Sequence, residues 1–173
     1  MKIAVLGYSG SGKSTLAKQL GNFYSLPILY LDTVYFTSGW QERDPEEAKE
    51  IVTTFMTQAD WVIDGNFSSL YLTKRLEQAD RIVCLCFSRW NCLYRAYKRY
   101  FKYRNMARES MAEGCKEKLD REFVWWILYK GRNRGKREFY HNVATKYKDK
   151  TVVLKNQKQM DVWLHSLKKK KEE

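Results

Sequence analysis

The sequence predicts an α/β protein built around a five-stranded parallel sheet. Two observations point to this class: short apolar runs alternate with longer helical patterns, and a glycine-rich turn joins the first apolar run to the first helical one. The length of 173 residues suits a single domain. Hydrophobic residues make up 44% of the chain and aromatic residues 15%, a composition that excludes a disordered polypeptide.

The strands and helices are predicted in strict alternation. The predicted strands cover residues 2–6, 28–31, 61–63, 81–87 and 151–154. Helices are predicted over residues 13–23, 45–58, 68–78 and 157–168, and a helical region over residues 90–147 that breaks near Asn105 and Gly114. Asp44 is the predicted N-cap of the second helix, because a proline and two glutamates follow it. Helical crossovers bring the carboxyl ends of parallel strands to one edge, where a ligand is expected.

Residues 7–15 carry the most specific motif, Gly-Tyr-Ser-Gly-Ser-Gly-Lys-Ser-Thr. It matches the phosphate-loop pattern of a glycine, any four residues, Gly-Lys and then Ser or Thr, in the required position between a strand and a helix. Backbone N–H groups of such a turn surround phosphate at the positive end of the helix dipole. Lys13 is expected to reach the β- and γ-phosphates of ATP and Ser14 to bind Mg²⁺. The predicted nucleotide-binding residues of the loop are Gly7, Ser9, Gly10, Ser11, Gly12, Lys13, Ser14 and Thr15.

Positive charge is concentrated in one segment. The chain has a net charge of +12, and residues 89–137 alone hold 15 Lys or Arg against 5 Asp or Glu. Nine of the twelve arginines lie there. Such a segment needs an anionic partner, either nucleotide phosphates or a nucleic-acid backbone.

Other features of the chain set its expected environment. The longest apolar runs fall short of the roughly 18 residues that a membrane helix needs, so no membrane partner is expected. The four cysteines do not form a Cys-x-x-Cys pair, which disfavours a metal site and indicates a reducing cytoplasmic location.

These features resemble the adenylate-kinase-like branch of the P-loop kinases, which includes the shikimate and nucleoside monophosphate kinases. Over nearly the whole chain, the sequence is similar to the bacterial DNA topology modulation proteins, which are related to adenylate kinase. The shared features are residues 7–15, the Leu31-Asp32 pair followed by Trp40, residues 61–66, and an arginine-rich region ending in residues 120–123 and Trp126. The resemblance implies a three-layer P-loop NTPase fold over residues 1–173, an arginine-rich helical lid over about 89–147, and ATP with Mg²⁺ as ligands.

Four residues at the ends of the second and third strands are predicted to bind the acceptor: Asp32, Asp64, Gly65 and Asn66. In shikimate-type kinases, an Asp near Asp32 contacts the acceptor hydroxyl or the metal, so Asp32 is a predicted catalytic residue that orients a hydroxyl and accepts its proton. Asp64 resembles the adenylate-kinase Asp that holds Mg²⁺ through water. Adenylate kinases continue this segment as Asp-Gly-Phe-Pro-Arg, whereas this chain reads Asp64-Gly65-Asn66-Phe67-Ser68, so the arginine that helps to grip a monophosphate is missing. Asn66 suits a neutral hydroxylated substrate or a ribose. The alternative is that these residues only form turns, with Asn66 or Ser68 as a helix N-cap.

The arginines of residues 89–137 are the predicted lid residues. By its spacing from the fourth strand, Arg95 resembles the arginine that stacks on adenine in shikimate-type kinases. Arg99, one turn later, is the predicted catalytic arginine that neutralises charge on the transferring phosphoryl group. The alternative for each is a solvated helix face. Further candidates are Arg89, Arg104, Arg108 and Arg121, followed by Arg132, Arg134 and Arg137.

Aromatic residues interleave with basic ones over residues 94–104, as in surfaces that bind single-stranded nucleic acid. Their helical spacing favours an amphipathic helix packed on the sheet instead. Two functions follow from the sequence. The first is a kinase that transfers the γ-phosphoryl group of Mg·ATP to a hydroxyl or phosphate of a small acceptor, a nucleotide included. The alternative is a nucleotide-regulated nucleic-acid-binding protein. If the protein is a kinase, its contacts with nucleic acid are expected to be weak. The oligomeric state is not predicted.

Overall fold

The structure is a computed structural model that describes residues 1–104, 109–112, 114, 115, 117 and 119–172. Five strands form one sheet in the order β2-β3-β1-β4-β5, and every neighbouring pair is parallel. The strands are β1 (Lys2–Gly7), β2 (Ile28–Tyr30), β3 (Trp61–Asp64), β4 (Arg81–Leu85) and β5 (Thr151–Leu154). The predicted α/β class and five-stranded parallel sheet are therefore confirmed.

Helices connect the strands, as the right-handed crossover of parallel strands requires. In the described part of the chain they are α1 (Lys13–Tyr24), α2 (Leu31–Tyr35), α3 (Pro45–Met56), α4 (Leu72–Gln78), α5 (Arg89–Tyr103), α6 (Arg121–Leu128), α7 (Arg134–Lys146) and α8 (Gln157–Glu172). A short 3₁₀ turn, Lys130–Arg132, joins α6 to α7.

The sheet is the middle of three layers because its central strand is apolar on both faces. Ile3 and Val5 of β1 point into one core cluster, which helices α1, α5, α6 and α8 cover. Ala4 and Leu6 point into the other cluster, covered by α2, α3, α4 and α7. All four side chains are fully buried, as expected for a parallel sheet with helices on both faces.

The sequence correctly predicted the start of α3 and the bounds of β5. The Asp44 carboxylate accepts hydrogen bonds from the backbone N–H groups of Glu46 (3.0 Å) and Glu47 (3.1 Å), which confirms it as the N-cap of α3. Residues 151–154 form β5 as predicted. The long helical region is divided: α5 ends at Tyr103, and α6, the 3₁₀ turn and α7 follow from Arg121. The predicted break at Asn105 lies outside the described residues.

Two boundaries near the expected ligand edge differ from the prediction. Strand β2 ends at Tyr30, so Asp32 lies in the first turn of α2 and not at a strand end. Helix α4 begins at Leu72 and not at residue 68, because Tyr71 has a left-handed backbone conformation (φ 52°) that interrupts the helix before it. Neither Asn66 nor Ser68 is therefore its N-cap.

The aromatic residues of α5 do not pack on the sheet, although the helical spacing of residues 94–104 predicted that they would. The buried positions of α5 are Cys92 and Ala96. Four large aromatic side chains on one stripe of this helix are instead 52–67% exposed: Trp90, Tyr94, Tyr97 and Phe101. Within the described residues, no helix is long and apolar enough to cross a membrane.

Candidate nucleotide-binding and acceptor site

The loop between β1 and α1 has backbone conformations that glycine alone adopts without strain. Gly10 has φ 78° and Gly12, the N-cap of α1, has φ 95°. A Cβ atom on Gly10 would lie 2.4 Å from the carbonyl oxygen of Cys92 on α5. Close packing against α5 therefore also requires glycine at this position. The loop opens onto the first turn of α1, whose N–H groups have no partners within the helix.

Lys13 and Ser14 begin α1 beside the acidic end of β3. The Lys13 Nζ atom donates a hydrogen bond to the Tyr8 carbonyl oxygen (3.3 Å), so the ammonium group lies across the loop. The Ser14 hydroxyl lies close enough to the Asp64 carboxylate to lower the pKa of that group. Ser11 is fully buried in the loop, whereas Thr15 is exposed.

Asp64, the last residue of β3, has a pKa well above the ordinary value of an aspartate. Its side chain is buried, and its Oδ1 atom has no hydrogen-bond partner among the described residues. Burial raises the pKa of Asp64 to about 6, although Lys13, Ser14 and Arg75 each favour the carboxylate, and Asp32 opposes it. A buried carboxylate oxygen without a partner, next to a Ser hydroxyl and the phosphate loop, is an environment that fits Mg²⁺.

Asp32 and Gly65 bring the acceptor segment to the same edge of the sheet. Asp32 is exposed on the first turn of α2, close enough to Asp64 to raise the pKa of that carboxyl group. Gly65 has φ 138°, and a Cβ atom there would lie 2.8 Å from Leu31 Cβ. The loop after β3 therefore packs directly on the start of α2, and the two predicted acidic residues lie together.

Asn66 makes its hydrogen bonds to the protein itself. Its Oδ1 atom accepts from the Gly7 N–H (3.1 Å), and its Nδ2 atom donates to the Gly7 carbonyl oxygen (2.7 Å) and the Tyr140 hydroxyl (3.2 Å). These contacts occupy both amide hydrogens. Its predicted role as an acceptor-binding residue stays a prediction, with one accepting lone pair of the amide left for a ligand.

Arg75 of α4 is a residue of the site that the sequence gave no reason to select. Its guanidinium group is fully buried and donates to the carbonyl oxygens of Leu70 (2.8 Å), Gly65 (3.0 Å) and Phe67 (2.7 Å). Burial lowers the pKa of Arg75 to about 10, and the nearby Asp64 charge counteracts part of that shift. Arg75 therefore holds the backbone on both sides of Asn66, and its donors are turned away from solvent.

Arg95 lies at the nucleotide loop, as its spacing suggested. Its Nη1 atom donates to the Ser11 carbonyl oxygen (3.3 Å), and its Nη2 atom donates to Gln157 at the start of α8. The guanidinium carbon lies 4.9 Å from the centre of the Phe87 ring. The planar guanidinium group of Arg95 therefore lies between the loop and α8, beside the expected nucleotide.

Arg99 and Arg132 have different surroundings from those predicted. Arg99 forms an ion pair with buried Glu117 (2.6 Å), and its contact with the phosphoryl group stays a prediction. Arg132 was only a further lid candidate in the sequence. Its guanidinium carbon lies 3.9 Å from the centre of the Tyr8 ring. Its Nη2 atom lies 3.0 Å from Cys92 Sγ. Arg104 and Arg121 are exposed, and Arg108 lies outside the described residues.

No family model matches the chain, and no curated protein matches it. Among solved structures, it is similar to a deoxyadenosine kinase from M. mycoides with bound dCTP, at 18% identity and a TM-score of 0.50, over 98% of this chain and 100% of that one. It is also similar to TT1252 from Thermus thermophilus, at 16% identity and a TM-score of 0.55, over 98% and 97% of the two chains. The chain therefore has the fold of the P-loop kinases.

Proposed function

We propose that this protein is an ATP-dependent phosphotransferase. The observation that carries the proposal is the buried Asp64 carboxylate, which lies next to Ser14 and Lys13 of a complete phosphate loop. One of its oxygens has no hydrogen-bond partner among the described residues. A bound Mg²⁺ ion would offset the cost of burying this charge. Ser14 and Asp64 would hold that ion, partly through water, and the ion supplies neutralisation of phosphate charge.

The remaining residues of the site have complementary roles in this proposal. Lys13 exchanges the Tyr8 carbonyl for oxygens of the β- and γ-phosphates. Arg95 stacks on adenine, and Arg99 or Arg132 neutralises the transferring group. An acceptor hydroxyl attacks the γ-phosphorus, the bond to the β,γ-bridging oxygen breaks, ADP leaves, and the hydroxyl proton passes to the Asp32 carboxylate.

The acceptor is proposed to be a small hydroxylated molecule without a phosphate group. Arg75 of α4, whose charge acts on Asp64, is committed to three backbone carbonyl oxygens and does not face an acceptor. One structural neighbour is named a deoxyadenosine kinase, which makes nucleosides the first acceptors to test. Four free cysteines support the cytoplasm as the proposed location.

The alternative, a nucleotide-regulated nucleic-acid-binding protein, depends on where the arginines point. Arg95 contacts Ser11 and Arg132 contacts Tyr8, so two arginines of the basic segment are used at the nucleotide loop. This arrangement favours the kinase. A role in DNA topology would need a separate contact surface.

Asp32→Asn tests the proposed reaction most specifically. ATP consumption is first measured with nucleosides, nucleoside monophosphates and small hydroxylated acids as acceptors. With the active acceptor, Asp32→Asn is expected to lower kcat at least tenfold while the Kd for Mg·ATP changes less than twofold, because the change removes charge and keeps shape. The exposed, distant Asp149→Asn serves as the matched control. Turnover within about twofold of wild type, roughly 0.4 kcal/mol of barrier, would reduce Asp32 to a turn residue.

A further inference from the structure

The first residue of the phosphate loop extends beyond its neighbour in the sheet. Strand β3 ends at Asp64, which pairs with Val5, whereas β1 continues to Gly7. On the β3 side, the Gly7 N–H and C=O groups therefore have no strand to pair with. Buried backbone groups without partners are costly, so something must replace the missing strand.

The Asn66 amide takes the place of that strand. It accepts from the Gly7 N–H (3.1 Å) and donates to the Gly7 carbonyl oxygen (2.7 Å), as a peptide group would. On the opposite side, the Tyr8 N–H donates to the Leu85 carbonyl oxygen of β4 (3.2 Å). The peptide between Gly7 and Tyr8 is thus held from both sides, which fixes its orientation at the start of the loop.

Asn66 is itself held in place by groups from two helices. The Tyr140 hydroxyl of α7 accepts its second amide hydrogen (3.2 Å), and the Tyr140 ring packs edge-on against Tyr8 with ring centres 4.7 Å apart. Arg75 of α4 binds the carbonyl oxygens of Gly65 and Phe67, the residues on either side of Asn66. The amide therefore has little freedom to turn away from Gly7.

We infer that Asn66 is a positioning residue for the phosphate loop: its amide sets the orientation of the first loop peptide and so the nucleotide affinity. This inference rests on the proposed function in that the loop binds ATP. A primary amide both donates and accepts, which Gly7 requires. A carboxylate of the same shape accepts from the Gly7 N–H but places an oxygen against the Gly7 carbonyl oxygen. Asn66→Asp consequently disrupts the loop with almost no change in side-chain volume.

The test measures two quantities in each variant: the Kd for Mg·ATP by calorimetry, and hydrogen exchange of the backbone over residues 5–12. In Asn66→Asp and Asn66→Ala, the Kd is expected to rise at least tenfold and exchange of this segment to accelerate. Tyr140→Phe keeps the ring and loses one hydrogen bond, so its Kd is expected to stay within threefold of wild type. Val153→Ala in β5, a strand that does not pair with β1, controls for general destabilisation, because removal of this partly buried side chain is expected to lower the melting temperature.

The outcomes separate this inference from the proposed function. A wild-type protein that does not bind Mg·ATP contradicts the proposed function, and loop exchange in the Asn66 variants alone then decides the positioning role. Asn66 variants with wild-type exchange over residues 5–12 overturn the inference. So does a Val153→Ala protein that loses ATP affinity as much as Asn66→Asp does, because the loss would then follow stability and not loop geometry.

Discussion

Asp64 shows how a single residue of this site opposes folding and favours binding. Its carboxylate is removed from water without a full set of hydrogen bonds, and its pKa rises to about 6 from an ordinary value of 3.8. The folded protein therefore holds the Asp64 proton more tightly than the unfolded chain does. Stability from this group falls as pH rises from about 4 to about 6, and the full cost remains at neutral pH.

Asp64→Asn is predicted to stabilise the ligand-free protein at pH 7 by up to about 3 kcal/mol. The substitution removes the buried charge, whose cost corresponds to the rise of the Asp64 pKa from 3.8 to about 6. The same change is predicted to abolish stabilisation by Mg·ATP. Thermal unfolding from pH 4 to pH 8, with and without Mg·ATP, measures both effects, and the gain over wild type should disappear near pH 4. A variant that is less stable than wild type at pH 7 would show that the buried charge is already compensated.

At the same scale, the sequence identified residues whose chemistry is local and missed those whose role depends on long-range contacts. Lys13, Ser14 and Asp64 are brought together as the motif and the strand ends predict. Asn66 was selected, but its pairing with Gly7 joins residues 59 positions apart. Arg75 was not selected, because a sequence pattern does not reveal that a turn folds its carbonyl oxygens around a guanidinium group.

At the scale of elements, helix α5 has two different faces. Arg95 and Cys92 pack against the phosphate loop, whereas Trp90, Tyr94, Tyr97 and Phe101 face outward. Helical spacing predicted that the aromatic stripe of α5 packs on the sheet, which is wrong. The small residues Ala96 and Cys92 form the buried face because α5 approaches the loop closely.

Arg95→Ala is predicted to weaken Mg·ATP binding at least fivefold, because it removes the planar cation next to Ser11 and Gln157. The exposed Arg104→Ala is the matched control and should bind ATP like wild type. Under the same conditions, DNA binding is expected to be weak, at about 10⁻⁴–10⁻⁶ M, strongly weakened by salt and unaffected by ATP. Tight DNA binding near physiological salt that responds to ATP would instead support the nucleic-acid-binding alternative.

At the scale of the whole molecule, the order of strands determines where the site forms. Strand β1 lies between β3 and β4, so the phosphate loop at its carboxyl end is flanked by Asp64 on one side and the start of α5 on the other. This order was not predicted from the sequence, which indicated only that the strands are parallel. Three described residues of the basic segment 89–137 contact the loop: Arg95, Trp126 and Arg132. Chain length and alternation of elements were sufficient to predict the layers, whereas these contacts depend on tertiary packing.

The central claim is that the loop of residues 7–15 binds Mg·ATP next to Asp64. Isothermal titration of wild type and Lys13→Ala with Mg·ATP tests it most directly, with circular dichroism to show that both are folded. We expect saturable binding by wild type and at least a hundredfold loss of affinity in Lys13→Ala, because the ammonium group that faces the phosphates is removed. Equal affinity in the two proteins, or no binding by folded wild type, would contradict Mg·ATP binding by this loop.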